Sequence, residues 1–293
     1  MRIAFLIDPP ESFKIYKDST YAMMREAATR GHELHVLQQE DLAWNAGIVS
    51  AAIRRLHLTG VDGAWFRLDA AHNAPLKDFD AVLMRKDPPF DMEYVYSTYL
   101  LELAQNQGAR IFNDPRAIRD CNEKMAIARY PQFTVPTLVT RDPGLIHGFL
   151  AEHGDIILKP LDGMGGTSVF RVHSKDPNLN VIVETVTHYG RRTIMAQRYI
   201  PQIVDGDKRV LLIGGKPVPY VLARIPKPGE TRGNLAAGGT GVARALSPRD
   251  REIAETLAPQ LRAQGLLLVG LDVIGDYLTE VNVTSPTCFQ EIA

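Results

Sequence analysis

"ILKPLDGMGGTSVF", residues 157–170, places a lysine in front of three glycines, between two strand-like runs. Lys159 ends the first apolar run, and Gly163, Gly165 and Gly166 follow it. In a Walker A loop the lysine comes after the glycines and opens a helix, so this arrangement is a different one. The order predicts a hairpin whose backbone N–H groups and lysine fold over phosphates. The alternative is a glycine-rich turn that binds no ligand.

A second stretch, "LVGLDVIGDYLTEVNVTSP" (268–286), carries oxygen ligands on a strand pattern. Glu280 and Asn282 are two residues apart, so their side chains share one face of a strand. Asp272 lies on the preceding strand, among apolar residues where a solvated carboxylate is uncommon. Because carboxylate and amide oxygens are hard ligands, these three residues predict a Mg²⁺ site rather than a zinc site. A solvated hairpin face is the alternative.

The predicted metal site depends on the register of this hairpin. If Gly275 and Asp276 form a two-residue turn in a regular ladder, Asp272 lies opposite Thr279 and faces away from Glu280. A bulge or a three-residue connection would instead bring Asp272 opposite Glu280. A metal site at this hairpin therefore requires one of these two irregularities.

A third stretch, "PKPGETRGNLAAGGTG" (226–241), has neither strand nor helix periodicity. A loop of this length inside a compact domain is usually a lid or a disordered connection. As a lid, its glycines would supply hinges, and Arg232 and Asn234 would reach a charged ligand. Arg209 and Arg224 lie on the strands before this loop. We expect them to bind an anion through bidentate contacts, and the alternative is that they lie on a solvated strand face.

Strand and helix signals alternate in the first third of the chain, which indicates the α/β class and a parallel, doubly wound sheet. Arg85 stands at the end of one of these strands, where such sheets bind ligands, so it is a candidate for anion binding.

Beyond this third, hairpins replace the alternation, which gives the C-terminal part more α+β character. Ser247 and Asp250 form a capping box for one late helix. We predict three segments: an N-terminal domain (1–122), a segment with the glycine-rich loop (123–199), and a segment with the long loop and the carboxylate hairpin (200–293).

The composition of the 293 residues is that of an ordinary globular protein. Lys and Arg total 33 against 34 Asp and Glu, so no net field favours nucleic acid or an anionic membrane. The apolar run before Asp8 is too short for a signal peptide, and no run approaches transmembrane length. Cys121 and Cys288 are too few for a disulfide framework, which favours the cytoplasm and incidental thiols.

Taken together, these stretches resemble the ATP-grasp superfamily and, more closely, bacterial-type glutathione synthetase. The resemblance runs in order along essentially the whole chain. The segments that carry it include "DPPESFKIYKDSTYAMMREAATRGHELH" (8–35), "MRKDPPFDMEYVYSTYLLE" (84–102), "RDCNEK" (119–124), "ILKPLDGMGGTSVFRV" (157–172), "DGDKRVLLI" (205–213), "ETRGNLAAGGTG" (230–241) and "VGLDVIGDYLTEVNVTSPT" (269–287).

The resemblance implies an N-terminal α/β domain followed by an ATP-grasp fold of two subdomains. It also implies a ligase that joins γ-glutamylcysteine to glycine with ATP, through an acyl phosphate, and releases ADP and phosphate. Family members are commonly tetramers, so a homo-oligomer is expected. Phosphoryl transfer of this kind relies on positioning and charge neutralisation, which agrees with a sequence that offers no nucleophile–base pattern.

Residue roles also follow from the resemblance, by position. The implied ATP-binding residues are Lys124, Lys159, Gly163, Gly165, Gly166, Tyr199, Ile200 and Asp207. Arg209 and Arg224 would stabilise charge during the transfer. The residues implied to bind the other substrates are Arg85, Ser285, Arg232 and Asn234. The residues implied to bind two Mg²⁺ or Mn²⁺ ions are Asp272, Glu280 and Asn282.

Two departures and two alternatives accompany this resemblance. Thr240 stands where family members have an arginine, which puts one lid contact in doubt. Family members also continue through a further helix beyond the position of Ala293, and every candidate site residue precedes it. One alternative is another ATP-grasp ligase, of the D-alanine–D-alanine or glutamate type. The other is a nucleotide-binding scaffold without catalysis.

Overall fold

The N-terminal third forms an eight-stranded mixed sheet in the computed structural model, which describes residues 1–61 and 63–292. Its strands are β1 (Arg2–Leu6), β2 (Glu33–Leu37), β3 (Leu42–Asn45), β4 (Ile48–Leu58), β5 (Phe66–Leu68), β6 (His72–Pro75), β7 (Ala81–Met84) and β8 (Ile111–Phe112). The strands β2, β1, β7 and β8 lie side by side and run parallel. The predicted parallel sheet is therefore confirmed for this half.

The other half of the sheet is antiparallel and was not predicted from the sequence. β4 pairs antiparallel with β2, β3, β5 and β6. Its hairpin with β3 turns at Ala46 and Gly47, which both have positive φ. Such a turn matches the twist of the two strands, and "NAG" in the sequence is a modest signal for it.

The N-terminal third also contains three α-helices, and each of them begins with the same kind of N-cap. They are α1 (Ser19–Thr29), α2 (Met92–Asn106) and α3 (Pro115–Asp120). Asp18, Asp91 and Asp114 precede them, and each carboxylate accepts a hydrogen bond from a backbone N–H of the first turn. An aspartate at this position satisfies an N–H group that would otherwise lack a partner. The helix starts are thus encoded locally.

The middle of the chain forms a four-stranded antiparallel sheet in the order β11-β10-β12-β9. Its elements are β9 (Thr137–Thr140), α4 (Pro143–His153), β10 (Asp155–Pro160), β11 (Phe170–His173), α5 (Leu179–Val186) and β12 (Ile194–Arg198). The hairpin of β10 and β11 predicted around the glycines is confirmed. The connection between them, residues 161–169, is called the glycine loop below.

The last part forms a five-stranded antiparallel sheet in the order β15-β14-β13-β16-β17. Its elements are β13 (Asp207–Ile213), β14 (Lys216–Ile225), β15 (Thr240–Ala245), α6 (Pro248–Ala263), β16 (Leu268–Ile274), β17 (Tyr277–Asn282) and α7 (Phe289–Ile292). The predicted capping box of α6 is confirmed. The predicted lid (residues 226–241) contains the connection from β14 to β15, with a 3₁₀ turn at Leu235–Ala237, and its last two residues begin β15. Ala293, the end of the third predicted segment, lies outside the described residues.

Among the described helices, none combines the length and the apolar character that crossing a membrane requires.

Asn113 joins the first sheet to the last one. It follows β8 and is 3% exposed. Its Nδ2 donates to the carbonyls of Leu268 (2.8 Å) and Val283 (2.9 Å), and its Oδ1 accepts from the N–H groups of Leu267 and Leu268, both at 2.8 Å. One side chain thus satisfies four backbone groups at the start of β16 and just beyond the end of β17, the strands that carry Asp272 and Glu280.

We expect Asn113→Ala to lower the free energy of unfolding by about 3 kcal/mol, because it leaves buried backbone groups without partners. Urea unfolding followed by circular dichroism measures this loss. The matched control is Asn106→Ala at the exposed end of α2, which should change stability by less than about 0.5 kcal/mol. Equal losses in the two variants would contradict the joining role.

Candidate active site

Two adjoining cavities lie where the glycine loop, the lid and the last sheet meet. The first is open to solvent and spans about 860 Å³ with the solvent at its mouth included, and its walls run from Lys124 and the glycine loop to Tyr199, Asp207 and the lid. The second is also open and spans about 1330 Å³ on the same measure. Asp272 and Glu280 line both cavities, so these two carboxylates stand at the junction.

The register of β16 and β17 brings Asp272 and Glu280 together. Ile274 pairs with Tyr277 across a two-residue turn, yet Asp272 pairs with Glu280 because the ladder shifts by one residue after Asp272. The shift leaves Thr279 as the extra residue, which is the geometry of a β-bulge. Of the two irregularities that the sequence allowed, the structure has the bulge. Asn282 pairs with Gly270, two positions further on the same face.

Thr279 is held in the bulge by two contacts. Its hydroxyl donates to the Asp272 carbonyl at 3.1 Å, and its own carbonyl accepts from Lys159 Nζ at 3.2 Å. A bulged residue is left out of the regular ladder. The irregularity therefore both aligns the carboxylates and offers an acceptor to Lys159.

Arg209 and Arg224 surround Asp272. Arg209 Nε lies 2.6 Å from Asp272 Oδ1, and Arg224 Nη2 lies 3.0 Å from Asp272 Oδ2. Burial alone would raise the pKa of Asp272, but the charges and hydrogen bonds of the two arginines outweigh it and hold that pKa well below its usual range. Asp272 is therefore an anion inside a buried site.

Asp207 shares Arg224 with Asp272. Arg224 Nη2 donates to Asp207 Oδ2 at 2.6 Å, whereas Asp207 Oδ1 is buried with no hydrogen-bond partner within the described part of the chain. Burial raises the pKa of Asp207 to about 6, although Arg224 opposes the shift. An unpaired buried oxygen at a cavity wall is a ready acceptor for a hydroxyl or another donor.

Lys124 and Lys159 approach Glu280 from the other side. Their Nζ atoms lie 3.8 Å and 3.5 Å from Glu280 Oε1, and both residues are 5% exposed. Lys124 also donates to the Gly163 carbonyl, which ties it to the glycine loop. Burial lowers the pKa of Lys159 while Glu280 opposes this. Lys124 precedes a 3₁₀ turn, Met125–Arg129, rather than lying on a solvated helix face.

The lid lies directly on the glycine loop. A Cβ atom at Gly166 would lie 2.8 Å from Asn234 Oδ1 and 3.0 Å from Arg232 Cδ, and the backbone φ there is +80°, so this position favours glycine. Arg232 Nη1 reaches the Gly166 carbonyl at 3.4 Å and its guanidinium pairs with Glu230. The two predicted lid residues and the predicted phosphate loop are thus in contact.

Tyr199 and Ile200 line the first cavity, at the end of β12. The Tyr199 N–H already donates to the Asp155 carbonyl at 3.0 Å. Recognition of an adenine edge by this segment would therefore use other groups, namely the Tyr199 carbonyl and the Ile200 N–H.

The two candidates for dipeptide binding occupy different positions. Ser285 lines the second cavity and donates a hydrogen bond to Asp87. Arg85 is 4% exposed behind this wall, where it donates to Thr20 Oγ1 (3.1 Å) and to the Pro286 carbonyl (2.8 Å). In this conformation Arg85 supports the wall of the cavity rather than lining it.

Glu123 is a site residue that the sequence did not single out. It lines the second cavity, and its carboxylate accepts from the N–H groups of Val283 (2.9 Å) and Thr284 (3.1 Å). Its carbonyl accepts from the Val281 N–H at 2.9 Å. Burial raises the pKa of Glu123, and these hydrogen bonds oppose the shift. The residue next to Lys124 thus fixes the end of β17, a long-range contact with no local signal.

The candidate metal residues fit a hard cation. Within residues 1–61 and 63–292, no three His, Cys, Asp or Glu side chains gather as a metal site, so other oxygens must complete any coordination. Asn282 Nδ2 donates to the Gly270 carbonyl at 3.1 Å, which leaves its amide oxygen as an acceptor. Two carboxylates and one amide oxygen on one face suit Mg²⁺ or Mn²⁺, with phosphate oxygens as further ligands.

Family models and relatives match the chain over its length. The model for the N-terminal domain of prokaryotic glutathione synthetase matches residues 1–119, and the model for its ATP-grasp domain matches residues 123–293. A glutathione synthetase of Nitrosomonas europaea is 64% identical and covers 100% of this chain and 92% of its own. One of Neisseria meningitidis is 58% identical, with 100% and 93% covered.

Solved structures share the fold at low identity. D-cycloserine synthetase DcsG has a TM-score of 0.64 at 18% identity, over 97% of this chain and 92% of that one. The ATP-grasp ligase PsnB, complexed with a minimal precursor, Mg and ADP, has a TM-score of 0.60 at 19% identity, over 97% and 90%. The predicted fold class, an N-terminal α/β domain followed by an ATP-grasp fold, is confirmed.

Gly270 makes room for Arg209. A Cβ atom there would lie 2.9 Å from Arg209 Cδ, so Gly270→Ala must push the guanidinium away from Asp272. We expect a loss of about 2 kcal/mol in the free energy of unfolding, because a buried charge pair is weakened. Gly148→Ala in α4 meets no atom within 4 Å and should instead stabilise by about 0.5–1 kcal/mol. Urea unfolding measures the free energy of unfolding of both variants. A Gly270→Ala variant as stable as the wild type would show that Arg209 does not require glycine at this position.

Proposed function

The chain belongs to the prokaryotic glutathione synthetase family, and we propose that its two joined cavities form one active site for ATP and a dipeptide. The protein is an ATP-dependent carboxylate–amine ligase that makes glutathione from γ-glutamylcysteine and glycine. The observation that carries the proposed site is the position of Asp272 and Glu280, which line both cavities. A group transferred from one cavity to the other must pass these carboxylates.

We assign ATP to the first cavity. Lys124, Lys159 and the glycine loop, with Gly163, Gly165 and Gly166, line it and supply ammonium and backbone N–H donors. Charge-assisted hydrogen bonds from such groups suit the phosphates. Because both buried lysines pair with the same carboxylate, Glu280, a polyphosphate would supply further negative charge here.

The adenosine end falls at the other side of the same cavity. The Tyr199 carbonyl and the Ile200 N–H offer one acceptor and one donor, the pair that an adenine edge requires. Asp207 Oδ1, buried without a partner among the described residues, would accept from a ribose hydroxyl. These three groups support the assignment because Tyr199, Ile200 and Asp207 all line the first cavity.

Asp272, Glu280 and Asn282 would hold two Mg²⁺ or Mn²⁺ ions together with phosphate oxygens. Such cations, when bound, neutralise charge on the phosphates. Arg209 and Arg224 keep Asp272 ionised at neutral pH, so it enters binding as an anion. Lys124 and Lys159 pair with Glu280 and hold it in place.

The reaction needs orientation more than a protein nucleophile. The cysteinyl carboxylate of the dipeptide attacks the γ-phosphorus and ADP leaves, after which the glycine amine attacks the acyl carbon and phosphate leaves. Arg209 and Arg224 line the second cavity beside the junction. Guanidinium groups there would stabilise the charge that develops during both steps. Ser285 would contact the dipeptide from the same cavity, with Arg85 supporting the wall behind it.

The lid would keep water away from the acyl phosphate. Arg232 and Asn234 hold it against Gly166, so the glycine loop and the lid cover the phosphate end together. An acyl phosphate exposed to solvent hydrolyses, which makes exclusion of water a requirement of the reaction. Thr240, the departure from the family pattern, lies in β15 beyond these contacts.

The alternatives are less favoured. Ligases of the D-alanine–D-alanine or glutamate type share the fold, but full-length relatives at 64% and 58% identity are glutathione synthetases. A scaffold without catalysis would not need Lys124, Lys159, Asp272 and Glu280 in one arrangement. A homo-oligomer, a tetramer by family resemblance, and a cytoplasmic location stay predictions.

The proposed activity is tested by ADP release from ATP and Mg²⁺. We expect rapid release only when γ-glutamylcysteine and glycine are both present, with glutathione formed in equal amount. Omission of either amino substrate is the control. Release that prefers D-alanine would support the other ligase type, and nucleotide binding without turnover would support the scaffold.

Glu280→Gln tests the junction itself. We expect turnover to fall by at least about 100-fold, because an anionic ligand is replaced by a neutral group of equal volume. Glu184→Gln, at an exposed position on α5, is the matched control and should retain the wild-type rate. Both variants should unfold cooperatively. A near-normal rate of Glu280→Gln at saturating Mg²⁺ would refute the role.

A further inference from the structure

Three residues contact one another pairwise at the end of the first cavity that is assigned to adenine. They are Asp155, the first residue of β10, Arg171 on β11, and Tyr199, which follows β12. The sequence had singled out only the last of them. We call Asp155, Arg171 and Tyr199 the Tyr199 clamp.

Asp155 contacts both other members of the clamp. Its carbonyl accepts from the Tyr199 N–H at 3.0 Å, which continues the pairing of β10 with β12 beyond Ile156 and Arg198. Its carboxylate forms two parallel hydrogen bonds with Arg171, from Nε to Oδ1 at 3.0 Å and from Nη2 to Oδ2 at 2.6 Å. A bidentate pair of this kind fixes the orientation of the guanidinium plane.

Arg171 completes the clamp by lying over the ring of Tyr199. Its guanidinium carbon is 3.6 Å from the centre of that ring, which is a close cation–π contact. The side chains of Asp155 and Arg171 are 32% and 39% exposed. Partly exposed ion pairs usually contribute little to stability, so the stability of the fold gives little reason for this arrangement.

The clamp shares a sheet face with the lining of the first cavity. Arg171 pairs with Ile157 on β10, and Asp155 lies two positions before Ile157, so the three side chains are on the same face. Ile157 and Lys159 on that face line the first cavity, as Tyr199 does. Arg171 is not among the described residues that line it, so its route to a bound nucleotide runs through Tyr199.

We propose that Arg171 is a positioning residue that sets the selectivity for adenine over bases with a 6-oxo group, which rests on the ligase function and the nucleotide site proposed above. The Tyr199 carbonyl and the Ile200 N–H suit adenine, whose edge presents an amino donor at C6 and an acceptor at N1. Hypoxanthine and guanine present the opposite pattern, an acceptor at C6 and a donor at N1. Because the clamp holds this backbone segment still, a 6-oxo base leaves polar groups unpaired and is rejected.

Inosine triphosphate tests this selectivity, because it differs from ATP only in the oxygen at C6 and the proton at N1. The nucleotide preference is the ratio of kcat/KM with ATP to kcat/KM with inosine triphosphate, measured by glutathione formation. In Arg171→Met we expect the KM for ATP to rise about fivefold, since a cation–π contact is lost, and the preference to shrink by at least about threefold. The KM values for γ-glutamylcysteine and glycine should stay within about twofold.

Arg119 on α3 supplies a matched control, because it makes the same kinds of contact elsewhere. It pairs with Glu102 at 2.7 Å and lies over Tyr99 at 4.2 Å. Arg119→Met should therefore lose at least as much stability as Arg171→Met, yet keep the KM for ATP and the nucleotide preference. A double-mutant cycle gives a second check. Asp155→Asn should shrink the preference as Arg171→Met does, and the double variant should shrink it no further.

Binding of ADP and inosine diphosphate, measured by isothermal titration calorimetry, tests the clamp without turnover. An unchanged preference in Arg171→Met, in a variant that still makes glutathione, would overturn the positioning role and leave the ligase function intact. An equal weakening of both nucleotides would show that Arg171 supports the site but does not select the base. A wild-type protein that forms no glutathione would overturn the ligase function, and the clamp with it unless Arg171→Met still reduced the binding preference for ADP.

Discussion

The pairing of Asp272 with Glu280 across a β-bulge is the constraint on which the rest of the site depends. In a regular ladder behind a two-residue turn, these side chains would lie on opposite faces of the sheet. Thr279, as the extra residue, turns them to the same face, and Asn282 follows because it lies two positions beyond Glu280. Asn113 and Glu123 then hold the ends of this hairpin from outside it.

The charges around the bulge support the proposal that an anionic ligand binds at this site. Arg209 and Arg224 form ion pairs with Asp272. Lys124 and Lys159 form ion pairs with Glu280. Buried guanidinium and ammonium groups are stable only when anions compensate them. Asp272 and Glu280 are thus already paired with cationic side chains. A polyphosphate that arrives together with a divalent cation would take over some of these pairs, and the carboxylates would then accept the cation more readily.

The sequence was sufficient for most of the fold and for the junction, for reasons that are local. Helix caps, glycine turns and alternating strands are encoded within a few residues. Counting positions between Asp272 and Glu280 showed that the hairpin needs either a bulge or a three-residue connection, and the structure has the bulge. The antiparallel strands β3–β6 escaped prediction because their main signal, the turn at Ala46 and Gly47, is short. Glu123 escaped it because its position depends on hydrogen bonds to Val283 and Thr284, which lie far away along the chain. The burial of Arg85 behind Pro286 has the same origin.

Different parts of the chain line the two cavities. All the residues that line the first cavity lie at or beyond Lys124, so the proposed nucleotide site is built by the part of the chain that forms the two C-terminal sheets. The second cavity is lined in addition by residues that precede Lys124, namely Ser12, Lys14, Lys17, Asp18, Asp87, Pro88 and Glu123. If the proposed assignment holds, substitutions among these residues would change the second cavity and leave the lining of the first one intact. This arrangement requires the N-terminal part of the chain and the hairpin of β16 and β17 to keep fixed relative positions. The hydrogen bonds of Asn113 and Glu123 to that hairpin maintain these positions.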